Sequence, residues 1–122
     1  MASSRRLPVL GITGGDPCGI GPEVILKTLT AVGGSLRASC VVIGDARVFV
    51  RTARRLHLRL PAWRIVPPGA WQRSSAPRLS FIDLGPSGRF LPGRSSAAAG
   101  QASLEYLAHA VTLGRAGWID AL

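Results

Sequence analysis

Hydrophobic positions along the chain fall into two alternating periods. Residues 7–13, LPVLGIT, form a short apolar run bounded by proline and glycine, the pattern of a buried strand. From Pro22 the spacing turns helical. Val24, Ile25, Thr28, Leu29 and Val32 share one face, Lys27 and Thr30 lie on the other, and Gly33-Gly34 ends the helix. Residues 39–45, SCVVIGD, read as a second buried strand. A helix is expected over 46–57, with Phe49, Thr52, Ala53 and Leu56 on its apolar side. WRIV, 63–66, is a third strand, ended by Pro67-Pro68-Gly69. Residues 67–78 are loop-like, LSFIDL over 79–84 is strand-like, and Gly85-Pro86 opens a second irregular connection over 85–97. A long helix is expected from roughly 98 to 116, with Leu104, Leu107, Ala108 and Val111 along one stripe, and WIDAL then begins a further strand. Strands alternating with helices predict an α/β fold with a largely parallel sheet, and no internal repeat interrupts the pattern.

Composition narrows this picture. A chain of 122 residues is one domain at most, and its 47% hydrophobic content argues against disorder. No apolar run approaches the roughly 18 to 20 residues that a membrane span needs. Two arginines precede the first apolar stretch, as in a signal peptide. That stretch contains Pro8 and runs into glycines without a small-residue cleavage site, so a cytoplasmic location is expected.

The net charge of +9 raises nucleic acid as a partner, and its distribution argues against one. Only Arg47, Arg51, Arg54, Arg55 and Arg59 form a local cluster. The first four share one helical stripe with no aromatic residues interleaved, which reads as a solvated helix face rather than a stacking platform. Cys18 and Cys40 form no CxxC pair and read as buried or indifferent thiols, Cys18 being the one that a helix N-terminus would activate. His57 and His109 read as surface histidines, and two cannot supply the three protein ligands usual in a catalytic metal site.

The candidate chemistry concentrates in GITGGDPCGIGPEVILKTL, residues 11–29. A strand, a glycine-rich loop and a helix start together leave unpaired first-turn amides that point outward, and glycines let a ligand approach the backbone. Pro22 suits the first helical position. The loop fits neither common phosphate fingerprint. Gly14 and Gly19 have Walker spacing, but Ile20-Gly21 stands where Lys-Ser/Thr is needed. Gly19-Ile20-Gly21 opens a dinucleotide-type pattern, but Val24 occupies the third glycine position. Glu23 complements the helix dipole and would repel a phosphate. From the residues alone, the loop is either a structural turn or one wall of a ligand cleft.

The string ITGGDPCGIGPEVILKTL resembles the N-terminal signature of the 4-hydroxythreonine-4-phosphate dehydrogenase family of vitamin B6 biosynthesis, I-T-x-G-D-P-x-G-I-G-P-E followed by an apolar helix. VVIGDARVFVRTARRLHLRL and GRSSAAAGQASLEYLAHAVTLGRAGWIDAL are similar to later parts of the same family, residues 67–90 being the weakest match. The resemblance implies an isocitrate/isopropylmalate dehydrogenase-like fold, of which residues 1–122 would be a single, incomplete α/β domain, roughly the first third. It implies NAD-dependent oxidation of 4-hydroxythreonine 4-phosphate followed by decarboxylation, in a homodimer. It also implies a divalent metal (zinc, magnesium or cobalt) held by three histidines that this chain lacks. Asp16, Gly19 and Ile20 would be cofactor-side contacts, with Glu23 capping its helix, and no catalytic or metal-binding residue is assigned. Three other readings stand beside it: a sister dehydrogenase of threonate or erythronate 4-phosphate, a non-catalytic remnant, and a small basic binding module using the Arg47–Arg59 face.

Overall fold

The computed structural model describes residues 6–86 and 88–122. Strands β1 (Val9–Thr13), β2 (Ser39–Gly44), β3 (Arg64–Val66) and β4 (Leu79–Asp83) alternate with helices α1 (Gly21–Val32), α2 (Ala46–Leu56) and α3 (Ala97–Arg115), and a 3₁₀ turn (Arg73–Ser75) lies between β3 and β4. All strand pairs are parallel, in the order β1-β2-β4-β3. The expected α/β class is observed, with strand and helix bounds within two residues of those read from the pattern.

The central strands are apolar on both faces because helices cover both. On one face Cys40, Val42 and Phe81 pack under Ile25, Leu26 and Leu29 of α1 and Phe49 and Ala53 of α2. Trp63 completes that layer, its ring 4.9 Å from Phe81 and 5.7 Å from Phe49. On the other face Val9, Val41, Ile43 and Ile82 pack under Ala99, Ala102, Tyr106 and Ala110 of α3. The irregular 67–78 connection is anchored by Trp71, which is buried and donates from its indole nitrogen to Ser80 Oγ at 2.8 Å. β3 is short and largely exposed, as suits an edge strand.

The chain winds outward from β1 through β2 to β3 at the edge, steps back one place to β4, and then continues on the opposite side of β1. The first crossovers carry the chain from β1 outward through β2, while α3 brings it back to the far side of β1. There Ala121 makes a parallel bridge to Leu10. Asp120 fixes the return: its amide donates to Val9 O, its carboxylate accepts from Val9 N, and Arg73 grips it through two nitrogens at 2.9 and 2.7 Å. Where the pattern predicts a further strand in WIDAL, the structure has a single β-bridge, at Ala121.

Two helices present different faces from those expected. α1 buries Pro22, Ile25, Leu26 and Leu29, leaving Val24 and Val32 exposed. In α3 the inversion is complete. The stripe of Leu104, Leu107, Ala108 and Val111 faces outward, and the sheet takes Ala99, Ala102, Tyr106 and Ala110 instead. α3 is apolar on two faces, with Gln101, Glu105, His109 and Thr112 on a polar side between them, so size decides which apolar face meets the sheet. Alanines let the helix axis approach the sheet, and one tyrosine fills the remaining space.

The same rotation corrects the reading of His109 as a surface residue. It is partly buried, and desolvation holds its imidazole below the ordinary histidine range. The unfolded chain therefore binds this proton at higher pH than the folded one. Its contribution to stability is intact above pH about 6.5 and declines as pH falls through that value toward the depressed folded pKa. Urea unfolding at pH 8 and pH 5 is expected to show a larger acid loss for the wild type than for His109→Gln. Equal losses would place the imidazole in solvent.

Candidate functional site

In a parallel sheet the helix N-termini gather at the carboxyl ends of the strands, and ligands bind there where the strand order reverses. The reversal lies between β1 and the segment at Ala121. The loop following β1 is the glycine-rich one.

That loop is held by its own backbone. Gly14 N donates to Ile43 O at 2.8 Å, extending the sheet by one rung, and Gly15 takes a left-handed φ of +67°. Asp16 forms a local turn, its Oδ1 accepting from Cys18 N at 2.8 Å and its carbonyl from Gly19 N at 2.9 Å. Gly21 starts α1 directly against the loop's beginning, so close that a Cβ there would stand 2.5 Å from Gly14 O. Cys18 is buried in the α3-side core, and its carbonyl accepts from Gly93 N at 2.8 Å, tying the loop to the segment before α3. The thiol that a helix N-terminus would have activated is thus shielded. Cys40 is buried too, and desolvation pushes its thiol pKa up.

Asp16, Gly19 and Ile20 all lie on the exposed side of this loop, and Ile20 is 73% exposed, unusual for a large apolar residue. Ile20 is also the N-cap of α1 and supplies no side-chain hydrogen bond to it. Glu23, expected to cap this helix, turns along it to Lys27 at 2.7 Å instead. That hydrogen bond, reinforced by the lysine charge, lowers its carboxyl pKa. The first-turn amides are therefore left to solvent or a ligand. In contrast α2 is capped by Asp45 and α3 by Ser96.

A second cluster closes the neighbouring strand ends, and the pattern reading missed it. Asp45 follows β2 and is 1% exposed. Its carboxylate caps α2 through Arg47 N at 2.9 Å and pairs with the Arg47 guanidinium, Oδ2 to Nη2 at 2.9 Å. This hydrogen bond raises the Arg47 pKa further, fixing its charge. Arg47 Nη2 also donates to Gly88 O at 3.1 Å, and Arg51 Nη1 donates to Phe90 O. Asp83, at the end of β4, accepts from Ala46 N and Gly85 N, each at 3.1 Å. Gly85 lies flat against Asp45, where a Cβ would come within 2.4 Å of the carboxyl carbon. The signal was present in the sequence: an aspartate between a strand and a helical pattern is an N-cap candidate.

These contacts revise the arginine stripe. Arg54 and Arg55 are exposed, as a solvated face requires, but Arg47 and Arg51 clamp the 88–90 segment onto the sheet end. His57 caps the far end of α2 with a left-handed φ of 54°, while His109 lies in α3. Among the described residues no group of three or more His, Cys, Asp or Glu side chains is placed to hold a metal ion, so no metal chemistry is derived from this chain. No described helix is long and apolar enough to cross a membrane.

No protein-family model matches the chain. It is 43% identical over 122 residues to the D-threonate 4-phosphate dehydrogenase of Cupriavidus necator, covering 98% of this chain and 36% of that protein. It is 35% identical over 116 residues to the 4-hydroxythreonine-4-phosphate dehydrogenase of a Synechocystis species, covering 95% of this chain and 32% of that one. Among solved structures, a 4-hydroxythreonine-4-phosphate dehydrogenase from Burkholderia phymatum superposes with a TM-score of 0.74 at 34% identity, over 95% of this chain and 35% of that one. The chain spans about a third of the length of the relatives it matches. Over almost its whole length the chain is similar in sequence to a segment of the 4-hydroxythreonine-4-phosphate and D-threonate 4-phosphate dehydrogenases and shares their isocitrate/isopropylmalate dehydrogenase-like α/β fold.

Proposed function

We propose that this chain supplies the cofactor-side wall of an NAD-dependent dehydrogenase of phosphorylated four-carbon hydroxy acids. The observation that carries the reading is the glycine loop at the strand-order reversal, with an uncapped α1 and Asp16, Gly19 and Ile20 exposed beside it. The names of relatives similar over nearly the whole chain support it. D-threonate 4-phosphate is the first substrate to test, given 43% identity to that dehydrogenase against 35% to a 4-hydroxythreonine-4-phosphate enzyme. Both substrates carry a secondary alcohol next to the carbon bearing the carboxylate. Loss of a hydride and the hydroxyl proton gives a β-keto acid, whose carboxylate then departs as carbon dioxide.

NAD, when bound, accepts the hydride. This chain's residues bind and orient. The first-turn amides of α1 and the backbone at Gly19 offer donors and close approach, and the exposed Ile20 side chain offers an apolar surface for a ring. The Asp45–Arg47–Asp83 cluster holds the adjoining loops in place. Proton transfer, metal binding and substrate recognition fall to the part of the fold that the relatives possess beyond this third. In this reading the complete enzyme is a cytoplasmic homodimer using a divalent metal, and nucleic acid is not a partner. The basic-module alternative loses ground because Arg47 and Arg51 are already engaged within the fold.

The purified 122-residue chain is expected to produce no NADH from D-threonate 4-phosphate or 4-hydroxythreonine 4-phosphate, with zinc, magnesium or cobalt, alongside an active full-length relative. Hydride transfer needs cofactor and substrate held near contact distance, and one wall does not hold them. Metal-dependent turnover above background would overturn this assignment of roles. In a fusion of residues 1–122 to the remaining part of the Cupriavidus necator enzyme, Gly19→Val is expected to weaken NAD binding roughly tenfold, the scale of about 1.4 kcal/mol. Unchanged affinity would remove this loop from the cofactor site.

A further inference from the structure

Six carboxylates face fifteen basic residues, and their placement decides which cations stay unbalanced. Glu23 pairs with Lys27, Asp45 with Arg47 and Asp120 with Arg73. Asp83 accepts from two backbone amides and Asp16 from one in its own turn. Arg51 and Arg89 have no acidic partner among the described residues. Both line one cleft with Arg47, about 420 Å³ in volume, between α2 and the 88–91 segment. Its other walls are apolar: Val48 and Phe90 are buried, and Leu91 is 57% exposed. Arg51 is half-buried, and its Nε is shut off from solvent without an acceptor. A buried cationic donor is costly when left alone, and such groups are normally paired. The guanidinium is not free to swing out, because Nη1 donates to Phe90 O. Arg47 is held in the same way by Asp45 and Gly88 O. Two planar forks are thus oriented in advance, while Arg47 Nη1 and Arg51 Nη2 make no hydrogen bond among the described residues.

We propose that the cleft between α2 and the 88–91 segment binds a small organic phosphate, its oxygens on Arg51 and Arg89 and its organic part against Val48, Phe90 and Leu91. Guanidinium forks match phosphate geometry through paired donors, which a single ammonium does not. The volume suits a small molecule, and apolar walls with a few converging charges are the usual make-up of such a site. The attraction is not that of a helix terminus, since Asp45 already caps α2. Nor is it that of a nucleic-acid track. Arg54 and Arg55, along which a phosphate backbone would run, lie outside this cleft, and Phe90 is too deeply buried to stack on a base. The site is separate from the glycine loop and does not depend on the dehydrogenase reading. Occupancy would still be felt at that loop, because the segment that carries Arg89 is tied to it by Gly93 N and Cys18 O.

Calorimetric titration of the 122-residue chain with phenyl phosphate and with inorganic phosphate, at roughly 0.15 M salt to screen diffuse attraction, tests this. Phenyl phosphate is expected to bind with a Kd of about 1 mM or tighter, and inorganic phosphate about threefold more weakly for want of the apolar contact. Arg51→Gln should weaken phenyl phosphate binding roughly tenfold and Arg89→Gln about threefold, the exposed arginine losing less than the half-buried one. Arg51→Gln also removes an anchor of the segment. Arg89 has no bond within the fold among the described residues, so its variant should melt with the wild type and still bind less. Arg54→Gln and Arg55→Gln remove the same charge outside the cleft and should change the affinity by less than about twofold. Absence of binding up to about 10 mM would overturn the proposal. Equal weakening by all four substitutions would overturn it too, since the phosphate would then sense only net charge. So would phenyl phosphate binding no tighter than inorganic phosphate. A short single-stranded oligonucleotide that binds at this salt and is lost in Arg54→Gln and Arg55→Gln would assign the arginines to nucleic acid instead.

Discussion

Replacing Gly21 with alanine is expected to lower the melting temperature by roughly 10 °C, the equivalent of about 3 kcal/mol for a domain of this size. A Cβ at this position would lie 2.5 Å from the Gly14 carbonyl oxygen. Neither partner can yield cheaply. Gly14 is held by its amide to Ile43 O at the end of the sheet, and Gly21 opens a helix whose Pro22, Ile25 and Leu26 are already packed. The cost is steric and not conformational, since neither Gly21 nor Gly19 has a positive φ. Gly19 provides the contrast. Its Cβ would meet only Asp16, the carbonyl oxygen at 3.3 Å and the Cβ at 3.6 Å, on the open side of the loop, so Gly19→Ala should move the melting temperature by no more than about 2 °C. Two glycines of one motif thus divide into a packing role and an accessible one. Thermal melts of the two variants decide it, and equal melting temperatures would show that the loop relaxes away from the contact.

The sheet was legible because buried strands in a parallel sheet are apolar without alternation, and VLGIT, SCVVIG and LSFID stand between glycines, prolines and helical periods. The faces of α1 and α3 were less so. Periodicity ranks side chains by hydrophobicity, but an inner surface close to a sheet selects by volume. Ala102 and Ala110 therefore face the sheet while Leu104 and Leu107 do not. A helix with two apolar faces carries no mark of which one is covered by the segment at hand. Glu23 was assigned to its own helix terminus on charge alone, yet Lys27 one turn along gives it a nearer partner. The glycine-rich loop after β1 was recognisable as a strand-to-helix turn from its glycines and Pro22. The Asp45–Arg47 cluster was not read as a unit, because its binding partners, Gly85, Gly88 and Phe90, lie about forty positions away in a connection without periodicity.

That cluster yields a non-additive expectation. Asp45→Ala removes the α2 cap and the partner of Arg47, at a cost of about 2 kcal/mol. The arginine is half in solvent and can turn outward, so no buried charge is stranded. Gly85→Ala forces a methyl group into the Asp45 carboxyl, whose carbon would lie 2.4 Å away, and should cost about 3 kcal/mol. The carboxylate cannot retreat without giving up Arg47 N and its guanidinium together. In the double variant the obstructing carboxyl is gone, and the methyl group occupies the space that it vacates. The pair should therefore cost about as much as Asp45→Ala alone, a favourable coupling of about 3 kcal/mol between residues forty positions apart. Urea unfolding of the two single variants and the double variant measures this directly. Additive losses would mean that Gly85→Ala acts on its own backbone and that the carboxylate is not the obstacle. A double variant no less stable than Asp45→Ala alone would establish that Asp45 and Gly85 are matched by shape, with the α2 cap and the loop after β4 held in register by a single carboxyl group.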